Sequence, residues 1–416
     1  MKMRENHKLF LGYVTRSNVN EKLRIASILI TFLLAAYSMY AITFVLIPLH
    51  LSFNVSLAFI TVAVTLSWIG GGIGGFIFGY ISDIFGKKNT VLITILMYSI
   101  STILIFFINN IYQLYALMFF VGAGVNGENG ISYVLISFLE KTRLRGTVGG
   151  FMQGLYALGA LLGAITASTI LPRYGTMAWR YVFLITGIVS LFSLISWLFI
   201  PDFSNDNFGK HRKLNVTEIF NRNVIKLTLF GSIFAFASFM FLIPLFSLAP
   251  TYLQDYGMDS YYIIYVGLVL ASLVYGLSGY ISDKIGRKRT VIYFSLMAII
   301  FSALFLYVNY EFLGYFIPVS LVLIYMSSSF FAFYGVWISE LYPPKMRGAG
   351  SNFTLLVARI LGGGFGPLIV VLIPLKLGVS LGTILFIMAV VALISSIFIK
   401  KPSNQTSNVG VEIKVE

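Results

Sequence analysis

The chain has 416 residues, 58% of them hydrophobic and 11% charged, with a mean hydropathy of +0.89, a balance unlike that of a water-soluble domain. A net charge of +14 raises the question of an acidic partner, while zero cysteines and three histidines exclude disulfides, thiolate sites and a His-rich metal centre. The apolar residues come in unbroken runs of roughly 20, the length a helix needs to cross about 30 Å of hydrocarbon, and do not alternate as barrel strands do.

These runs predict helices over 25–48, 57–82, 89–108, 112–137, 147–171 and 180–200, then over 226–250, 260–282, 290–309, 312–338, 349–375 and 378–399. The first is read as a retained helix and not as a cleaved leader. The expected organisation is a basic N-terminal segment 1–24, a six-helix half 25–200, an Asn- and Lys-rich linker 201–225, a second six-helix half 226–400 and a tail 401–416. With the N-terminus inside, every Lys and Arg falls on the inner side except Arg173, Arg180, Lys376 and the intrahelical Arg359. That asymmetry is the positive-inside rule, which puts both termini in the cytoplasm of a multi-pass cell-membrane protein. The basicity therefore orients the chain against lipid head groups and calls for no nucleic acid.

In chain order, the first helix carries Tyr37 and Tyr40 ahead of Pro48, and the second holds Gly70-Gly71-Gly72 and Gly74-Gly75, where a neighbouring helix can approach closely. The stretch Gly79-Tyr80-Ile81-Ser82-Asp83-Ile84-Phe85-Gly86-Lys87-Lys88 follows, and it returns as Gly279-Tyr280-Ile281-Ser282-Asp283-Lys284-Ile285-Gly286-Arg287-Lys288. A repeat of this length makes the chain an internal duplication. In each copy the second Gly suits a positive φ that reverses the chain, and Asp83 sits beside Lys87 and Lys88. Such a pair is either an exposed contact contributing about 0–1 kcal/mol or part of a gate.

The fourth helix reads Val121-Gly122-Ala123-Gly124-Val125-Asn126-Gly127-Glu128-Asn129-Gly130. With no strand before it, its Gly-x-Gly-x-x-Gly is not a dinucleotide loop. A carboxylate at mid-span costs about 2.5–3.5 kcal/mol to insert and needs a reason. Glu128 is either a site that binds and releases a proton or a structural carboxyl hydrogen-bonded to Asn129 or another helix. Glu140 and Arg145, ahead of Gly146, echo Glu340 and Arg347, ahead of Gly348. The fifth helix offers Gln153 and Tyr156 at mid-membrane, the seventh carries Pro244 and Pro250, and the tenth ends in Tyr334, Trp337 and Ser339, aromatics expected to be interfacial anchors. Arg359 lies about ten residues into the eleventh helix, roughly 15 Å along its axis. Its planar fork of five donors suits a carboxylate, unless it is a structural partner of Glu128 or snorkels inward.

The two cassettes resemble the signature between helices 2 and 3, and 8 and 9, of the major facilitator superfamily. The resemblance covers residues 25–400. It implies an all-α integral membrane fold of twelve transmembrane helices in two pseudo-symmetric six-helix halves, each an inverted pair of three-helix units, with a mid-membrane site reached alternately from either side. It also implies that helices 1, 4, 7 and 10 line the cavity, which places Tyr37, Tyr40 and Glu128 near it. By the same resemblance, Asp83 reaches toward helix 11 when the inner side is shut, and Asp83, Gly86, Lys87, Lys88, Glu140, Arg145, Asp283, Gly286, Arg287, Lys288, Glu340 and Arg347 form inner gates. The Glu340-x6-Arg347 turn is similar to that of sugar porters, and the Gly-Pro pair of drug antiporters is missing from helix 5. Gly127-Glu128 and Ala358-Arg359 with Pro367 look most similar to proton symporters of organic acids. The resemblance thus implies uptake of a small organic anion by a monomer, without enzymatic activity or cofactor and with H+ as coupling ion. The alternatives are a sugar or polyol symporter, with Asn126, Gln153 and the tyrosines as neutral ligands, an exporter, or a transport-dead sensor.

Overall fold

In hydrocarbon an unpaired backbone N–H or C=O costs several kcal/mol, so a chain this apolar closes its hydrogen bonds within each crossing segment. The computed structural model describes residues 22–139, 144–200, 219–222, 224–258, 260–311, 313–343 and 346–400. Among the described residues there is no strand. The helices are α1 (Lys22–Phe53), α2 (Leu57–Phe85), α3 (Lys87–Phe107), α4 (Ile111–Leu139), α5 (Arg145–Tyr174), α6 (Ala178–Phe199), α7 (Ile225–Asp255), α8 (Ser260–Ile285), α9 (Arg287–Tyr310), α10 (Gly314–Leu341), α11 (Ala349–Leu372) and α12 (Leu377–Phe398). All but α4 are long and apolar enough by composition to cross a membrane, and α4, 29 residues long, packs among them carrying Glu128. Most run a few residues beyond the predicted limits, because hydropathy marks the apolar stretch and not the polar turns that finish a helix. The N-terminal segment 1–21, the linker residues 201–218, the tail 401–416 and Glu140 lie outside the described residues.

Four helices are broken, α6 only at Phe192, and the breaks in the other three have local causes. In α1 the chain tightens to a 3-10 turn over Ala41–Val45, just before Pro48, which has no N–H to offer the carbonyl four residues back. In α10 the run Ser327-Ser328-Ser329 leads into a 3-10 turn over Ser328–Phe331 before helix resumes at Tyr334. In α11 the turn widens to a π-helix over Ala358–Gly364. Pro367 cannot donate to the Gly363 carbonyl, and three successive glycines offer no side chains to resist the wider turn. Arg359 sits inside that π segment.

Close helix contacts fix the bundle. Within the first six helices, α2 and α4 meet where Gly70 lies on the Phe119 carbonyl and Gly122 on the backbone of Ser67. Between the two sets of six, α5 crosses α8 with Gly146 against Gly279 and Gly150 against the Tyr275 carbonyl, and α2 crosses α11 with Gly363 against Trp68. Away from the basic loops, α7 is buried without interruption from Ala237 to Leu253. Tyr40 of α1 meets Phe246 of α7 there at 5.6 Å between ring centroids, and Ser168 of α5 and Tyr265 of α8 share a hydrogen bond at 2.5 Å.

A side chain at Gly122 has no room beside the Ser67 backbone, whereas Gly130 has nothing within 4 Å. Gly122→Val is therefore expected to cost about 3 kcal/mol or more and Gly130→Ala within about 0.5 kcal/mol. Thermal unfolding of the two detergent-purified variants checks this, and equal melting temperatures would contradict the packing described.

Candidate functional site

Glu128 lies on α4 at 0% exposure, in the interior of the bundle. One helical turn on, the Ser132 hydroxyl donates to its Oε1. Asn129 satisfies its surroundings when its Nδ2 donates to Val125 O at 3.2 Å and to Glu128 Oε2 at 3.0 Å. The carboxyl thus has donors on both oxygens and, among the described residues, no ion pair with a cation.

Arg359 approaches from α11. Gly75 of α2 makes room for it, since a side chain there would run into Arg359 Nη1. Its electrostatic neighbours are the hydroxyls of Tyr133 on α4, Tyr156 on α5 and Tyr334 on α10. Arg359 Nε is buried without a hydrogen-bond partner. The ion pairs among the described residues are Lys87–Asp83, Arg287–Asp283 and Arg287–Glu340, so Glu128 and Arg359 are not paired with each other. Arg359 is half-buried, with its Nε enclosed; a guanidinium partly withdrawn from water without a carboxylate is costly, and an incoming anion would lower that cost. Bidentate docking of a carboxylate is the chemistry this fork serves best.

Tyrosines surround this pair. The buried Tyr40 hydroxyl has no partner, its ring stands 5.5 Å from that of Tyr156, and its electrostatic neighbours include Tyr275 and Tyr325 of the other six-helix set. Tyr275 bonds Ser328 at 2.6 Å, on the broken segment of α10. Tyr37, in contrast, is engaged by Thr166 at 2.6 Å. Asn126 is turned to α2, where it packs on Gly71 and donates to Gly122 O at 3.3 Å. Gln153 is half-buried one turn from Tyr156. Tyr334 and Trp337 are not interfacial anchors: both are buried, Tyr334 stacked on Phe234 and Phe331, because the second half of α10 packs against α7 in the interior. Ser132, Tyr133, Tyr275, Tyr325 and Tyr334 complete a site that motif reading reached through Glu128, Asn129, Tyr40, Tyr156 and Arg359. The i, i+4 pairs Glu128/Ser132 and Asn129/Tyr133 are the signal that points to two of the missing contacts.

The duplicated cassettes have like turns and unlike contacts. Gly86 and Gly286 both adopt positive φ, 85° and 97°. Asp283 is 3% exposed and accepts from Gly146 N at 3.0 Å, Thr147 N at 2.8 Å and Thr147 Oγ1 at 2.7 Å, at the start of α5. Arg287 joins it at 2.5 Å and reaches Glu340 of α10 at 3.2 Å. Asp83 is 46% exposed, and the ion pair it makes is with Lys87 of its own cassette, at 3.4 Å, not with α11. The last cation of each copy caps a helix end. Lys88 donates to Leu198 O at 3.3 Å on α6, and Lys288 to Ile397 O at 2.6 Å on α12. Both thereby complement carbonyls left over at a helix C-terminus. Arg145 is exposed at the first position of α5, and the Arg347 side chain lies outside the described residues.

The sequence profile described as the Major Facilitator Superfamily matches residues 28–367. The NiaP protein of Bacillus subtilis, named for niacin/nicotinamide transport, is 26% identical over 336 residues, 79% of this chain and 82% of its own length. The sialic acid transporter NanX of Escherichia coli is 25% identical over 342 residues, 78% of this chain and 80% of its own. Among solved structures, a D-xylose-proton symporter superposes with a TM-score of 0.74 at 19% identity, over 91% of this chain and 97% of its own, which shows the fold. The duplicated turns, the helical architecture and the profile agree: the chain belongs to the Major Facilitator Superfamily, and it is a multi-pass membrane transporter of small organic molecules, not an enzyme.

Proposed function

We propose that this protein is an alternating-access symporter that takes up a small organic anion, such as a carboxylate, together with a proton. The observation that carries this reading is Arg359, half-buried on α11 with Tyr133, Tyr156 and Tyr334 as its electrostatic neighbours and, among the described residues, no ion pair to a carboxylate. In this account Arg359 pairs with the substrate carboxylate and Glu128 carries the proton. The names of the niacin and sialic acid relatives support an acidic substrate. The distribution of Lys and Arg supports placing both termini on the cytoplasmic side in this account. A sugar or polyol is the second reading, favoured by the unpartnered Tyr40 hydroxyl. In that case Arg359 is structural and the tyrosines supply neutral hydrogen bonds.

The two readings separate in liposomes with a pH dye outside, challenged with nicotinate, N-acetylneuraminate or D-xylose. External alkalinisation with a carboxylate and none with the sugar is the expected outcome, and a response to D-xylose alone would favour the second reading. Glu128→Gln should abolish accumulation driven by a pH gradient while substrate exchange survives. If pH-driven accumulation persists in this variant, Glu128 is not the proton carrier. Arg359→Lys, which keeps the charge and loses the fork, should slow carboxylate uptake by about tenfold or more. Uptake at the original rate removes the anion role.

The cassettes yield a further prediction. Asp283 ties α8 to the first turn of α5, and hydrogen bonds to a charged group contribute about 1.5–3 kcal/mol each, so Asp283→Asn should favour separation of the two six-helix sets at the basic end. Since the chain has no cysteine, a single Val336→Cys beside Gly149 reports on that seam through maleimide labelling. Labelling should be several-fold faster with Asp283→Asn and unchanged with Asp83→Asn. Equal acceleration by both would contradict the asymmetry.

A further inference from the structure

The internal duplication shows where α2 is shaped by what lies against it. The offset of 200 residues that aligns Gly79–Lys88 with Gly279–Lys288 runs back along α2 and α8 without a gap, since both are continuous helices there. Ile73 and Ile77 then match Leu273 and Leu277, and all four are exposed, so the register holds in space as well as in sequence. In the same register Gly72 matches Ser272 and Gly75 matches Tyr275. One helix carries a phenol where the other carries no side chain.

The difference lies in what each helix meets across the boundary between the two sets of six. Opposite α8, the helix α5 presents glycines, with Gly150 on the Tyr275 carbonyl and Gly154 at 2.9 Å from the Ser272 carbonyl oxygen, measured from an added Cβ. Room is made on α5, so α8 keeps its side chains. Opposite α2 the order is reversed. There α11 presents side chains, and Gly72 and Gly75, three residues apart on one face of α2, receive them. A Cβ at Gly72 would stand 2.7 Å from Ile360 Cγ1. One at Gly75 would overlap Arg359 Nη1, with Arg359 Cζ at 3.6 Å and Asn126 O at 3.4 Å. The guanidinium fills the space that a side chain at position 75 would take.

Resting on the anion reading above, we infer that Gly75 is a positioning residue of the anion site, whose bare backbone seats the Arg359 fork on α2. A group borne by the second set of six thus takes its place from the first. Among the described residues Arg359 has no ion pair, and its Nε is buried without a hydrogen-bond partner. Packing on α2 is the contact that fixes one side of the fork.

Gly75→Ala separates this seat from ordinary helix packing. The added methyl meets the end of a flexible side chain and not backbone, so the arginine moves and the helices stay. Relief takes the fork roughly 1 Å from its seat, to van der Waals separation. Bidentate docking of a carboxylate depends on the direction of both N–H groups, so a fork displaced that far binds an anion less well. Gly72→Ala adds the same methyl one turn away, against Ile360, and leaves Arg359 untouched.

Initial-rate uptake by the full-length protein in liposomes tests the seat, with whichever of nicotinate and N-acetylneuraminate the unaltered protein takes up faster. Gly75→Ala should raise KM about tenfold with the maximal rate within about twofold, the pattern of lost binding, and Gly72→Ala should leave both within about twofold. In an Arg359→Lys background, which lacks the fork, Gly75→Ala should add less than about twofold, as expected of two residues acting through one group. Folding is read from a monodisperse chromatographic peak. An unchanged KM in Gly75→Ala, an equal rise in Gly72→Ala, loss of the monodisperse peak in Gly75→Ala, or a full tenfold loss added to Arg359→Lys overturns the seat while leaving Arg359 as the anion site. The original KM in Arg359→Lys, or uptake of neither carboxylate by the unaltered protein, overturns the seat and the anion reading together.

Discussion

A carboxylate and a guanidinium inside one membrane bundle would ordinarily neutralise each other, and here they do not. Each is instead surrounded by hydroxyls and an amide, Glu128 by Ser132 and Asn129, Arg359 by three tyrosines. The cost of burying two separated charges is several kcal/mol per ion and has to be met by the rest of the fold. Much of the local architecture serves that separation. Gly75 yields space to the arginine, which the π segment carries on α11, and Ser132 and Asn129 occupy the two oxygens of the carboxyl.

The duplication supplies the frame and then departs from itself. Both cassettes reverse the chain at a glycine with positive φ, and both end in a lysine that caps the final helix of its own set of six. Those shared features hold each set together. The aspartates differ: Asp283 is locked onto the start of α5, and Asp83 is half in solvent. The pseudo-symmetric pair thus has one aspartate bound across the seam between the two sets of helices and one exposed, so the two seams at the basic end are not held alike. The breaks in α1, α10 and α11 follow from Pro48, the serine run and Pro367.

The architecture was legible in the sequence because length and hydropathy are properties of the chain alone. A bilayer leaves an apolar run of twenty residues one conformation, and a repeated cassette announces its own symmetry. Glu128 and Arg359 were legible for the same reason, since a charge in such a run has to be explained. What surrounds them was not. Asn126 and Asn129 look equivalent in the string, yet three residues of helical rotation turn one to Gly71 and the other to the Glu128 carboxyl. Tyr334 reads as an interfacial aromatic by its position near a helix end, and only the packing of α10 on α7 makes it a buried neighbour of Arg359. The π segment could be suspected from Gly362-Gly363-Gly364 and Pro367, but its register depends on what α2 and α7 press against it.

The central claim is that proton and anion cross together, and the most direct measurement is a reversal experiment on the reconstituted protein. Liposomes carry a fixed gradient of radiolabelled nicotinate, and an opposing pH gradient is raised in steps until net flux of label stops. A coupled symporter has a null point that moves in proportion to the imposed pH gradient and is lost with Glu128→Gln. Label that runs down its own gradient to equilibrium whatever the pH difference would contradict the account.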